Sequence, residues 1–477
     1  MMDFLIETQS FLMSQNQDFN PAKEVLPWLT ALAFFMQALD GTILNTALPA
    51  IAKDFNQSSL QMQSVVISYT VTLAILIPLS GWLSDRYGTK KIFTLSVVLF
   101  TFGSVLCAFS YDIFNLVCAR IIQAAGGAMM VPVARLAILY TYPKNQLLRV
   151  MNFITIPGLV GQVVGPSLGG FLSDYYSWHW VFLINIPIGI IGVVLTQKKM
   201  PNITKPVGKF DGLGLLYIST TIVALTVIME LISLGITKWT YLTGAILLTF
   251  IAIILYIKRS RKHPKPIIDL TLFKVDTLRI GLLGNLFTRL GVGGMPFLLP
   301  LLLQVGYGHS AAISGLMLIP SALANMLAKY AVVPLIQRFG YRTVLITNTL
   351  ILAFIITSFS LTDKSTPLLY FIPLMLFFGS ANSIQMSSMN TITIADLNND
   401  TASSGNSLLA IMQQLSNSFG VSIAALILSL MPSFSATTMS TADAFKYTFI
   451  TIGVITALSS LVFGNLKPTA GSDLSGR

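Results

Sequence analysis

The sequence predicts an all-α integral membrane protein with fourteen transmembrane helices. Three observations carry that prediction. Of 477 residues, 54% are apolar and only 10% are charged, and the mean hydropathy is +0.75. A soluble protein carries about 25% charged residues, and a disordered chain needs low hydrophobicity with high charge. Apolar stretches of the length that crosses a bilayer, about 20 residues, recur along the whole chain. The few charges are also lopsided, with Lys+Arg 29 against Asp+Glu 18 and a net charge of +11. In a membrane protein such an excess of bases sets orientation.

The spans follow in order, and each of the first five pairs returns to a basic loop. Spans near 27–51 and 63–83 return at Arg86, Lys90 and Lys91, and those near 91–110 and 113–139 at Lys144 and Arg149. Spans near 149–173 and 179–197 return at Lys198, Lys199, Lys205 and Lys209. Spans near 212–231 and 240–257 return at a run from Lys258 to Lys265, followed by Lys274 and Arg279. Spans near 279–305 and 311–333 return at Arg338 and Arg342. The last four lie near 343–361, 367–391, 404–431 and 443–464, with Lys467 and Arg477 beyond them. The opposite loops hold only Lys53, Lys238, Lys364 and Lys446. Lys and Arg mark the cytoplasmic side, so both termini are expected in the cytoplasm. The N-terminus carries Asp3, Glu7 and Asp18 without a basic start, unlike a cleavable signal.

An internal repeat divides the chain. Gly81-Trp-Leu-Ser-Asp85-Arg86-Tyr-Gly88 after the second span corresponds to Val333-Pro-Leu-Ile-Gln337-Arg338-Phe-Gly340 after the tenth, at an offset of 252 residues. The same offset maps spans one to six onto nine to fourteen. The expected segments are a tail 1–26, a six-helix half 27–197, a linker 198–278 with two extra transmembrane helices, a six-helix half 279–464 and a tail 465–477. Repeats of this kind are typical of secondary transporters, which bind substrate near the midplane between the halves.

Asp40 is the acid that stands deep in a span; the others lie in tails, in loops or near span ends. At 1.5 Å per residue it sits ~20 Å above the inner edge, and Arg120 in span four reaches the same depth. An intramembrane ionisable group is costly and marks a functional site by default. Gln37, Asp40 and Asn45 share one helical arc that should face a cavity, and Asn285 and Arg289 lie one turn apart in span nine. Gln413 and Asn417 form a similar pair in span thirteen, and Gln123 and Asn382 complete the polar set expected at the substrate cavity. Lys329 and Arg135 lie near inner ends, where long bases can snorkel. Gly161, Gly165 and Gly169 repeat every four residues beside Pro166. Such spacing lets helices pack closely in lipid, and it is expected to make a pliable interface that opens and closes as the halves rock. Gly81 and Gly88 permit a tight turn, and Asp85 is placed to cap a neighbouring helix N-terminus.

Five segments carry a resemblance to the major facilitator superfamily, in its fourteen-helix drug:proton antiporter subfamily. Gly81 to Lys91 resembles its motif A, and Leu39-Asp40-Gly-Thr42-Ile-Leu-Asn45 to Pro49 its first-helix motif. Arg120-Ile-Ile-Gln123-Ala-Ala-Gly126-Gly127 is similar to motif B. Gly161 to Gly170 is similar to motif C, the antiporter motif, and Trp178 to Pro187 is also typical of that subfamily. The resemblance implies a major facilitator fold of two six-helix halves plus two inserted helices. It implies proton coupling at Asp40 and Arg120, and a conformational switch in Gly81, Asp85, Arg86 and Gly88 that clamps the outward-facing state.

The expected activity is proton-coupled export of drugs or other amphiphilic small molecules by alternating access across the bacterial inner membrane. The proton gradient is the energy source, and no cofactor, metal or nucleic acid is expected. No nucleotide-binding P-loop is present. Cys107 and Cys118, with His179, His263 and His309 scattered, make no metal-ligand set. The family usually works as monomers. Two other readings are open. One is a transporter of a specific metabolite or anionic chelator in symport or uniport mode, suggested by Arg289 and Lys329 in a C-terminal half without a deep acid. The other is a membrane protein with an interaction role, which would have no need of a midplane acid.

Overall fold

A computed structural model describes residues 24–233, 239–263, 266–397, 402–431 and 440–471. The expected tail 1–26 lies outside these up to residue 23, as do Lys238, Lys265 and everything after residue 471. The described chain contains 14 helices long and apolar enough to cross a membrane. In the N-terminal half these are α1 (Val25–Asp54), α2 (Gln63–Tyr87), α3 (Thr89–Ala108), α4 (Ile113–Thr141), α5 (Lys144–Tyr175) and α6 (Trp180–Lys199, interrupted at Ile184). The inserted pair is α7 (Gly212–Ser233) and α8 (Trp239–Ser260). The C-terminal half comprises α9 (Asp276–Gly306, interrupted at Gly293 and Gly294), α10 (Ala311–Phe339) and α11 (Tyr341–Ser358). It is completed by α12 (Leu368–Thr393), α13 (Ala402–Leu430) and α14 (Thr441–Phe463).

Local signals explain where helices begin. Asp112, Ser310 and Ser440 accept a hydrogen bond from a backbone N–H of the first turn of α4, α10 and α14. Such caps satisfy donors that the helix itself leaves orphaned. Gly88 and Gly340 occupy positive φ, 101° and 78°, at the same place in the two halves. That backbone region is cheap only for glycine, so the repeat is written in the tight turn that joins α2 to α3 and α10 to α11.

The two halves repeat one packing pattern. α1 packs on α5 as α9 packs on α13, α3 on α4 as α11 on α12, and α2 on α4 as α10 on α12. The halves meet along two seams, α5 with α10 and α2 with α13. The inserted α7 lies against α13 and α2, and α8 packs on α7. Because the spans alternate, the Val25 end of α1 and the Phe463 end of α14 share one face of the bundle, called the terminal face below. The other is the far face.

The halves are drawn together at the far face. Asp174 at the end of α5 accepts hydrogen bonds from the N–H groups of Ala311 (3.2 Å) and Ala312 (2.6 Å), the first residues of α10. Gln304 Nε2 of α9 donates to the carbonyl of Thr46 on α1 at 3.0 Å. Gly170 lies directly against the backbone of Ala311, and Gly315 against that of Pro166 and Ser167. Toward the terminal face Tyr330 and Val333 of α10 are 81% and 60% exposed.

Candidate functional site

A cavity of about 510 Å³ lies between the halves. Its walls come from α1 (Gln37, Asp40, Asn45), α2 (Tyr69, Thr70), α4 (Arg120), α5 (Thr155, Gln162), α10 (Lys329) and α13 (Gln414, Asn417). On its N-terminal wall sits one buried charge pair. Arg120 Nη1 donates to Asp40 Oδ2 at 2.8 Å, with the side chains 2% and 1% exposed. The equal depth of the two residues on antiparallel helices makes this contact possible.

Gln123, one turn on from Arg120, holds the pair in place. Its Nε2 donates to Asp40 Oδ1 (2.8 Å) and Ser104 Oγ (2.8 Å), and its Oε1 accepts from Arg120 Nη1 (2.6 Å). The Cys107 thiol lies 3.7 Å from the same Oε1. Gln123 is fully buried and turned away from the cavity, so its expected place among the substrate-facing residues is corrected. One amide bridges acid and base, which leaves it no hydrogen bond for a solute. The Tyr69 ring lies beneath the guanidinium, 4.0 Å from Arg120 Cζ, a cation–π contact in a desolvated place. Arg120 Nε is buried with no hydrogen-bond partner among the described residues.

Gln123→Leu should therefore destabilise the folded protein by about 1–3 kcal/mol, since it strips a donor from a buried carboxylate and an acceptor from a buried guanidinium. Thermal unfolding of the purified protein in detergent checks this, and an unchanged midpoint would contradict it.

The other expected cavity residues divide. Gln37, Asn45 and Asn417 line the cavity. Arg289 reaches it through Asn417, donating from Nη1 to Asn417 Oδ1 at 2.9 Å and from Nε to Asn285 Oδ1 at 3.2 Å. Asn285 is fully buried and donates to the carbonyl of Gly281. Gln413 donates to Asn390 at 2.9 Å, and the Asn382 amide oxygen is buried without a partner among the described residues. Asn285 and Gln413 turn into the C-terminal half and Asn382 is not on the cavity wall, because a helical arc fixes spacing but not which neighbour each side chain meets. Lys329 lies on the cavity wall rather than at a lipid interface. The Arg135 guanidinium sits over the ring of Phe34, another cavity residue, at 5.3 Å.

The sequence pattern did not single out Tyr69 or Ser104. Tyr69 carries a signal in hindsight, because it lies ~9 Å from the start of α2 and Arg120 ~10 Å from the start of α4. Both starts are at the far face, so equal depth marked the tyrosine as a neighbour.

The glycine stripe of α5 is placed differently from expectation. Gly161 lies against Phe35 and Leu39, Gly165 against Thr42 and Ile43, and Gly169 against Ile43 and Thr46, all on α1. The Thr46 hydroxyl donates to the Pro166 carbonyl at 3.0 Å. The stripe therefore joins two helices of one half. The surface between halves uses the next glycine, Gly170, and its partner Gly315. Spacing predicts close approach but not the approaching helix.

At the terminal face the α2–α3 turn is wrapped by the segment after α6. Asp85 accepts from the Tyr140 hydroxyl at 2.9 Å, in place of the expected helix N-terminus. Tyr140 at the end of α4 reaches Asp85 first, and the Asp85 carbonyl accepts from the N–H of Lys205. The Arg86 guanidinium lies 5.1 Å from the Trp82 ring, and Trp82 Nε1 donates to the carbonyl of Gly208 at 2.9 Å. Gly81 is open toward Leu136, whereas a side chain at Gly88 would collide with Asn202.

Comparison with known proteins agrees with this architecture. The Major Facilitator Superfamily profile matches residues 30–421. The chain is 44% identical over 445 residues to "Putative multidrug resistance protein MdtD" of Pectobacterium atrosepticum, covering 92% of this chain and 95% of the relative. It is 43% identical over 450 residues to the protein of the same description from Klebsiella pneumoniae subsp. pneumoniae, covering 94% and 95%. Among solved structures the fold is similar to a D-xylose-proton symporter (TM-score 0.67, 16% identity, 94% of this chain and 98% of that one). It is also similar to a POT family transporter in complex with 5-aminolevulinic acid (TM-score 0.65, 14% identity, 92% and 94%). With its two six-helix halves and its inserted pair, the chain belongs to the major facilitator superfamily.

Proposed function

We propose that this protein exports drugs or other amphiphilic small molecules in exchange for protons, with Asp40 as the protonation site and Arg120 as its partner. The observation that carries this reading is a single buried acid–base pair, Asp40 with Arg120, on the wall of a cavity between two pseudo-symmetric halves. Its multidrug-resistance relatives supply the substrate class. The terminal face is the cytoplasmic face of the bacterial inner membrane, since the basic loops gather there. The protein works as a monomer, with 27–197 and 279–464 as the moving halves and 198–278 as their linker.

In the described state the far-face seam is shut and Asp40 is ion-paired, as for a carboxylate that has released its proton to the cytoplasm. A substrate enters from the terminal face, against Gln37, Asn45 and Asn417. After the halves rock, a proton from the far face neutralises Asp40. Arg120 then keeps the Gln123 oxygen and the Tyr69 ring as partners, so the charge is not stranded. The glycine stripe transmits the change, because α1, which carries Asp40, is packed backbone to backbone on α5, and α5 forms the seam with α10. Gly81, Asp85, Arg86 and Gly88 act as the terminal-face clamp in the opposite state.

Reconstitution with a pH-sensitive dye inside the vesicles tests the coupling. A substrate gradient should drive protons opposite to the substrate. Flux in the same direction would establish symport, and substrate movement without proton flux would establish uniport. A second reading, transport of a specific anionic or zwitterionic metabolite or chelator, is favoured by one observation. With Asp40 and Arg120 paired, the remaining charge on the cavity wall is Lys329, with Arg289 behind Asn417.

A further inference from the structure

A second concavity, of about 660 Å³, lies outside the central cavity, between α4 and the inserted helix α7 with α2 as its floor. Its walls are apolar, from Val71 of α2, Val117 and Ile121 of α4, and Val223 and Val227 of α7. It runs from Gln61 at the far face to Leu76, which is ~20 Å into α2. That length compares with the ~15 Å hydrocarbon thickness of one leaflet. Near its far-face end stands Glu230, one turn before the end of α7. Glu230 is half-buried and has no hydrogen bond or ion pair among the described residues. A lone carboxylate beside hydrocarbon is expensive, and such groups stand where a partner is supplied. Gln61 lies at the same level, with its side-chain oxygen accepting from the Ser58 N–H and its NH₂ left to donate.

We propose that this groove is a binding site for a phospholipid of the far-face leaflet whose headgroup carries a primary ammonium. The acyl chain lies between α4 and α7, the ammonium donates to Glu230, and the Gln61 amide donates to the headgroup phosphate. A primary ammonium offers three donors to a carboxylate. A trimethylated headgroup has the same charge but offers none, which separates specific recognition from ordinary lipid contact. The site gives the inserted pair a role that the six-helix halves do not supply, because the lipid ties α7 to α2 and α4 of the N-terminal half.

The test is native mass spectrometry of the full-length protein in detergent, with phosphatidylethanolamine or phosphatidylcholine of identical acyl chains added. Wild type should retain phosphatidylethanolamine about threefold or more over phosphatidylcholine, the size of an interfacial ion pair. Glu230→Gln should remove that preference. Val227→Trp, which fills the groove and leaves the acid in place, should lower retention of both lipids. Equal retention of the two lipids by wild type, or a preference that survives Glu230→Gln, would overturn the proposal. Preferential retention of tetraphenylphosphonium at Glu230 with no headgroup preference would also overturn it and assign the groove to a lipophilic cation.

Discussion

Asp40→Asn is expected to abolish concentrative export while leaving downhill substrate exchange intact. The amide keeps the shape of the carboxyl and still accepts from Gln123 Nε2, so the cavity wall is preserved. It cannot take up or release a proton. With an imposed gradient of one pH unit, each coupled proton is worth ~1.4 kcal/mol, or about a tenfold substrate ratio. The variant should reach a ratio of about one, whatever the gradient. Counterflow exchange in vesicles should continue, since Gln37, Asn45 and Asn417 remain on the wall. A variant that still concentrates substrate, with its pH dependence retained, would refute Asp40 as the coupling site.

Stability has to be separated from coupling in that experiment. Removing one member of a buried pair leaves the other uncompensated and costs about 3–5 kcal/mol. Arg120 would lose its 2.8 Å partner and keep Gln123 and the Tyr69 ring. The double variant Asp40→Asn/Arg120→Gln removes the stranded charge. It should melt closer to wild type than the single variant and remain uncoupled. If coupling returned with stability, Asp40 would have only a structural part.

The sequence made the spans and the charge pair legible for one physical reason. A membrane fixes helix length and direction, so residue number converts into depth. That conversion placed Asp40 beside Arg120. It could equally have drawn in Tyr69, which is at the same level. Depth does not give rotation, and rotation decided the rest. Gln123 follows Arg120 by one turn and faces inward to Asp40 and Ser104 rather than the cavity. Asn285 and Gln413 turn into their own half, while Asn417, four residues on from Gln413, reaches the wall. Asp85 sits in a recognisable turn, yet its partner is a tyrosine from α4 and a linker segment that no pattern announces.

Two glycines, Gly169 of α5 and Gly315 of α10, separate packing within a half from motion between halves. A side chain at Gly169 would meet the backbone of Ile43 on α1, with its Cβ 2.9 Å from the carbonyl carbon. A side chain at Gly315 would meet α5 across the seam, 2.8 Å from both the Pro166 carbonyl carbon and the Ser167 Cα. Carbon atoms pack at about 3.5–4.0 Å, so either substitution demands a backbone shift of about 1 Å. The response should differ, because in the proposed cycle α1 and α5 stay together while α5 and α10 separate at the far face. Gly169→Ala should lower thermal stability by about 1–3 kcal/mol, the usual cost of overpacking, without changing which face is open. Gly315→Ala puts the same cost on the far-face-closed state alone, so populations should shift about ten- to hundredfold toward the far-face-open state. Spin-label distances in a Cys107→Ser/Cys118→Ser background read this directly. Labels at Tyr176 and Leu361, both exposed at far-face ends, should move apart in Gly315→Ala. Labels at Leu139 and Tyr330, exposed toward the terminal face, should draw together. Unchanged distances in Gly315→Ala, or the same shift in Gly169→Ala, would mean that the α5–α10 seam is not the far-face gate.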